Sequence, residues 1–185
     1  MTRFWWFAVA FAVLAVVATS NEATVPDAST TSDSFRTAGA SEPQQSTPGR
    51  ADLTGYARVV DGDTIEVASE RIRLSGIDAP ERRQFCTRHG DRYGCGQAAQ
   101  AALNELVDGR QVECSSLGRD RYERVLATCS VAGTDIGGAM VQEGWAVAYR
   151  RYSNRYVADE TIARSRQAGI WSGEFEEPEQ WRRDN

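Results

Sequence analysis

Apolar and polar positions alternate along Tyr56–Val60 and again along Thr64–Ala68, and the two runs meet at Asp61-Gly62. A period of two marks a half-buried strand, and Asp-Gly is a tight-turn pair, so the segment predicts a hairpin. Arg71–Ile77 also alternates and predicts a third strand. Across Gly94–Val107 the period changes: Ala98, Ala99, Ala102, Leu103 and Leu106 recur at helical spacing, and Asp108-Gly109 ends the run. Val112–Leu117 and Arg124–Val131 predict two more strands around a polar turn. Ile136–Glu143 and Tyr156–Ala168 predict helices stopped by Gly144 and Gly169.

Five strands, an inserted helix and helices at the end make an α+β pattern: a small barrel with about three helices. The open five-stranded OB-fold barrel fits this count, although the count does not single it out. The barrel pattern occupies residues 51–172, enough chain for one core. Three other segments surround it. Phe4–Ala18 is an unbroken apolar run behind Arg3, short for a membrane span and suited to a signal-peptide core, so residues 1–20 predict export to the periplasm or the medium. Val16-Val17-Ala18 or Ala18-Thr19-Ser20 supplies a small-residue cleavage site; an anchor formed by residues 4–20 is the alternative. Residues 21–50 are rich in Ser, Thr, Ala and Pro, have almost no large apolar side chains and read as a disordered linker. Residues 173–185 form an acidic tail, most simply a solvated end.

Composition narrows the chemistry. The chain has 185 residues and a formal net charge of −5, so bulk electrostatics do not announce a nucleic-acid binder. All 21 basic residues are Arg, each a permanent planar fork suited to phosphate or carboxylate. His89 is the one histidine, which excludes mechanisms needing two. Four cysteines in an exported chain imply two disulfides. Cys86 and Cys95 flank a polar loop, Thr87–Gly94, and Cys114 and Cys129 fall on strands expected to pair, which favours Cys86–Cys95 with Cys114–Cys129. A zinc site using Cys86, His89 and Cys95 competes, but its spacing matches no standard zinc pattern.

The carboxylates carry the strongest chemical signal. Asp63 shares a strand face with Ile65 and Val67, so it points inward and needs a compensating cation. Capping of the Asp-Gly turn is the bland alternative. Arg73-Leu74-Ser75-Gly76-Ile77-Asp78-Ala79-Pro80-Glu81 then ends a strand with two carboxylates around a proline that keeps the chain extended. Asp63, Asp78 and Glu81 gather oxygen ligands suited to Ca²⁺ or Mg²⁺. Strand parity puts Arg73 and Asp78 on opposite faces, so a bend, expected at Gly76, is needed to unite them. Arg119–Arg124 adds three arginines around Tyr122 and reads by itself as a charged, solvated turn.

Val-Asp-Gly-Asp-Thr at 60–64, Arg-Leu-x-Gly-Ile-Asp-Ala-Pro-Glu at 73–81 and Asp-Arg-Tyr-x-Arg at 120–124 together resemble the staphylococcal nuclease (thermonuclease) family. Gly144-Trp145-Ala146, Tyr149, Glu160 and Gly169-Ile170-Trp171 extend the similarity over roughly residues 55–172. The resemblance implies an OB-fold barrel with helices and Ca²⁺-dependent cleavage of DNA or RNA. It assigns Ca²⁺ to Asp63, Asp78 and the carbonyl of Ala79, where some relatives carry Thr. It makes Glu81 the general base and Arg73 and Arg124 the phosphate-binding, charge-stabilising groups. Tyr149 becomes a base-stacking platform, and Arg121 and Tyr122 become accessory substrate contacts. In-line attack on a phosphodiester needs these parts: a deprotonated water, a cation at the phosphoryl oxygen and further positive charge.

Two departures stand out. Glu123 replaces the Gly usual in the third motif; if that position needs positive φ, the turn is strained and Arg124 is displaced. Glu123 is also placed to pair with Arg124. The domain is slightly acidic, with 16 Arg against 17 Asp and Glu, so substrate capture falls to a local patch drawn from Arg82, Arg83, Arg88, Arg92, Arg150, Arg151 and Arg155. An exported, monomeric nuclease is the expectation. A catalytically weak OB-fold module binding nucleic acid or protein is the alternative.

Overall fold

The computed structural model describes residues 52–185; the expected signal and linker lie outside the described residues. Strands β1 (Leu53–Asp61), β2 (Thr64–Val67) and β3 (Glu70–Leu74) form an antiparallel meander. The short strand β4 (Ile77–Asp78) and a hairpin of β5 (Cys86–Arg88) and β6 (Asp91–Tyr93) follow, then helix α1 (Cys95–Val107). Strands β7 (Gln111–Arg119) and β8 (Val125–Val131) come next. The chain continues through β9 (Thr134–Asp135), α2 (Ile136–Gln142), β10 (Val147–Ala148), α3 (Val157–Ser165), a 3₁₀ turn at Gly169–Ser172 and α4 (Pro178–Asp184).

The sheet runs β3-β2-β1-β7-β8-β9, and β3 also pairs in parallel with β8. That last pairing closes five strands into a barrel, the expected OB-type architecture. Its interior is filled by the alternating inward residues, among them Ile65, Val67, Ile72, Leu74, Val112, Val125, Ala127 and Val131. Helix α1 closes one opening with Ala99, Leu103 and Val107, and α2 contributes Ile136, Met140 and Val141. A smaller cluster of Cys86, Cys95, Val147 and Ile170 lies apart from this core, with Trp145, Trp171 and Phe175 packed on it.

Both expected disulfides are present, Cys86–Cys95 and Cys114–Cys129, and the described residues contain no free cysteine. Cys114 and Cys129 face each other in the β7–β8 register. Two disulfides fit an oxidising compartment. The loop expected at 87–94 is the β5–β6 hairpin. Residues 173–185, expected as a solvated end, instead hold a fourth helix. Glu174 bridges to Thr87 on β5, Phe175 meets Trp171 edge to face at 4.8 Å, and Pro178 is buried at the first turn of α4. A proline there costs no hydrogen bond and pre-sets φ, which explains why the acidic segment turns helical at that point. Among the described residues no helix is long and apolar enough to cross a membrane.

Candidate active site

Asp63 and Asp78 are both buried, at 7% and 1% exposure, on neighbouring parts of the barrel wall. Asp61, not Asp63, caps the tight turn, its Oδ1 accepting from the Asp63 amide at 3.2 Å. Asp63 is thereby left to point inward. Its Oδ2 accepts from the Ala79 amide at 2.9 Å, and its Oδ1 from the Thr64 hydroxyl at 3.2 Å. Arg73 supplies the compensating charge. One guanidinium nitrogen touches Asp63 Oδ1, and the other donates to Asp78 Oδ1 at 2.9 Å. The required bend is at Gly76, whose φ is +81°. It turns β3 into β4, which pairs with β10 and buries Asp78 opposite Val147.

Glu81 stands at the rim, with its side chain about one third exposed (34%). Its backbone is held by Gln84, a fully buried side chain whose Oε1 accepts from the Glu81 amide at 3.1 Å. Helix α1 starts directly behind: a Cβ on Gly96 would lie 1.8 Å from the Glu81 carbonyl oxygen, so only glycine fits there.

Arg124 directly precedes β8 and is held by Asp120. Its Nε and Nη2 lie 2.8 and 2.7 Å from Asp120 Oδ2. Asp120 Oδ1 accepts from the amides of Tyr122 and Arg124 at 2.8 and 3.1 Å, so one carboxylate shapes the turn and aims the arginine. Burial pushes the Asp120 carboxyl up, but the Arg124 side chain and these two amides outweigh it and hold it below the usual range. Glu123 has φ of +61°, the left-handed conformation that its usual Gly adopts freely. The expected Glu123–Arg124 pair is not formed; Arg124 pairs with Asp120, and the Glu123 carbonyl accepts from Arg119 Nη1 at 2.7 Å. Burial pulls the Arg73 pKa down, Asp78 opposes this, and the positive charge of nearby Arg124 adds to the lowering.

The expected substrate contacts flank this centre. Tyr122 is 63% exposed, with the guanidinium carbons of Arg121 and Arg124 4.8 and 5.5 Å from its ring centre. Tyr149 is half-buried, edge to face with Tyr152 at 4.9 Å. Burial and then the charge of Asp78 push its phenol pKa up. Several arginines proposed for a basic patch are already engaged: Arg150 with Glu160, Arg151 with Glu179 and Arg155 with Asp135. Arg92 lies over the ring of exposed Phe85 at 3.9 Å, and Arg82 and Arg83 are exposed.

The sequence pattern gives no sign that an arginine reaches this group from the C-terminal helix. Arg182 of α4 donates from Nη1 to Asp78 Oδ1 and Glu81 Oε1 at 3.0 and 2.7 Å, and from Nη2 to Asp78 Oδ2 at 2.9 Å. Asp78 therefore joins Arg73 and Arg182, and Arg182 joins Asp78 to Glu81. Its only sequence signal was an Arg-Arg pair in an acidic tail.

The donor set fits a hard cation: buried carboxylate oxygens with no competing sulfur or imidazole. Among the described residues no three acidic, His or Cys side chains gather as a metal cluster, so the side-chain ligands open to such a cation would be the carboxylates of Asp63 and Asp78. Backbone, water or substrate oxygens would complete such a shell.

A family profile described as "Staphylococcal nuclease homologue" matches residues 71–173. The chain is similar to the succinoglycan biosynthesis protein ExoI of Rhizobium meliloti, 39% identical over 75% of this chain and 70% of that protein. It is similar to a micrococcal nuclease of Shigella flexneri, 36% identical over 75% of this chain and 85% of that one. An uncharacterized endonuclease of Haemophilus influenzae is 33% identical over 68% of this chain and 70% of its own length. With its closed five-stranded barrel and its buried Asp63–Arg73–Asp78 group, the chain belongs to the family of staphylococcal nuclease homologues.

Proposed function

We propose that this chain is a nuclease that hydrolyses phosphodiester bonds of DNA, RNA or both, uses Ca²⁺ as its cation and works outside the reducing cytoplasm. Nuclease chemistry is supported by the family and by relatives named as micrococcal nuclease and endonuclease. The observation that carries the fuller reading is the convergence of two buried aspartates on Arg73, with Glu81 joined to the same group at the rim.

Asp63, Asp78 and the Ala79 carbonyl would hold Ca²⁺, which supplies positive charge at a phosphoryl oxygen when bound. The chain's own residues do the rest. Glu81 takes a proton from the attacking water at a carboxylate oxygen. Its rim position gives it access to solvent, and Gln84 fixes the backbone from which it reaches. Arg73 and Arg124 bind the phosphoryl oxygens and offset the negative charge that grows on them. Asp120 positions Arg124 before substrate arrives. Arg121, Tyr122 and Tyr149 orient flanking sugar, phosphate or base, with the exposed Tyr122 ring free to stack.

Digestion of single-stranded DNA and of RNA by the purified protein, with Ca²⁺ and then with excess chelator, tests this reading. Cleavage that requires Ca²⁺ is expected. Binding without cleavage, unchanged by Ca²⁺, would replace it with a binding module.

A further inference from the structure

The C-terminal segment is anchored before it reaches the site. Thr87 and Glu174 exchange backbone hydrogen bonds of 2.8 and 2.9 Å. Gln84 Nε2 donates to the Glu176 carbonyl at 2.6 Å, and Arg151 pairs with Glu179 at 3.1 Å. Gln84 thus ties the backbone of Glu81 to the segment that carries α4. From this anchorage α4 places Arg182 across Asp78 and Glu81, engaging both Asp78 oxygens. The same two carboxylates are assigned above to the cation and to the general base.

We infer that α4 is a tethered plug: Arg182 competes with Ca²⁺ for Asp78 and masks Glu81 until the cation displaces it. The inference rests on the proposed Ca²⁺ role of Asp78. Arg73 already holds Asp78 Oδ1, and Arg182 closes the remaining Oδ2, so a seated Arg182 leaves no Asp78 oxygen to a divalent cation and repels it by charge. Ca²⁺ then binds only the fraction of molecules with α4 displaced, and its apparent affinity falls by that fraction. The anchor at residues 174–178 keeps the arginine close, which makes the competition intramolecular and strong.

Calorimetric titration of Ca²⁺ into the full chain, without nucleic acid, tests the plug. Arg182→Ala and Arg182→Gln are compared with wild type and with Arg183→Ala, whose side chain meets Glu179 and Gln180 instead. Both Arg182 variants are expected to bind Ca²⁺ about tenfold more tightly than wild type, with Arg183→Ala near wild type. In wild type, Ca²⁺ should also speed hydrogen exchange at residues 178–185. Equal or weaker Ca²⁺ binding by the folded Arg182 variants overturns the plug. So does loss of turnover at saturating Ca²⁺ with no change in affinity, which would make Arg182 a phosphate ligand. Absence of Ca²⁺ binding in all four proteins overturns the underlying Ca²⁺ reading instead.

Discussion

Arg73 and Asp78 have opposite strand parity, yet their side chains meet at 2.9 Å because Gly76 turns the chain between them. A side chain at 76 would sit in the left-handed region and lie 3.1 Å from the Tyr156 ring. Gly76→Ala is therefore expected to lose about 1–2 kcal/mol of stability in a urea titration. Turnover should fall further than the folded fraction does, since the turn also sets the site.

Glu123 takes a left-handed backbone that glycine would adopt freely, at the cost of a strained φ of +61°. Glu123→Gly should raise the thermal midpoint by relieving about 1 kcal/mol of strain, less the extra chain entropy of glycine. Arg124 is aimed by Asp120 rather than by position 123, so turnover should stay within about twofold. Asp120→Ala, by contrast, should lower turnover at least about tenfold while the protein remains folded at 25 °C.

Glu160 is buried and accepts from the Ala148 amide at 3.0 Å and from Arg150 at 3.2 and 2.6 Å. Burial pushes its carboxyl up, but these donors and Arg164 hold it below the usual Glu value of 4.5. A carboxyl lowered by folding stabilises the protein fully above that usual value, and the contribution fades as pH falls through the folded-state value. Thermal midpoints should thus hold from neutral pH to about 5 and then drop, and Glu160→Gln should flatten that drop. At pH 7 the variant should lose about 2 kcal/mol, below the range for fully buried pairs because Arg150 and Arg164 are 49% and 50% exposed.

Cys114 and Cys129 close a separation of 15 residues between paired strands of the barrel. Replacing both with Ala should cost about 3 kcal/mol by freeing the unfolded chain, read as a lower urea midpoint.

Much of this was legible in the residues. The alternating runs and Asp61-Gly62 predicted the barrel strands, and the inward face of Asp63 predicted a buried carboxylate needing a cation. Arg73 met that need. Parity alone would have kept Arg73 from Asp78, but Gly76 marked the bend. Glu123 showed where a left-handed residue belongs without showing that Asp120 would take Arg124. The fourth helix and Arg182 were hidden because their partners lie far away in sequence: Arg182 sits 104 and 101 residues from Asp78 and Glu81. Local period and composition carry no trace of such a contact. Gln84 was missed for a related reason, since a lone polar residue in a loop gives no sign that its two ends meet Glu81 and Glu176.

In the proposed mechanism Glu81 activates water beside a Ca²⁺ held by Asp63 and Asp78. The direct measurement is the single-turnover rate on single-stranded DNA at saturating Ca²⁺, for wild type and Glu81→Gln, with Ca²⁺ affinity measured on both. A rate lower by about 10²–10⁴-fold is expected in Glu81→Gln, with Ca²⁺ binding retained. An unchanged rate with Ca²⁺ bound would remove Glu81 from the mechanism and overturn its role as the general base.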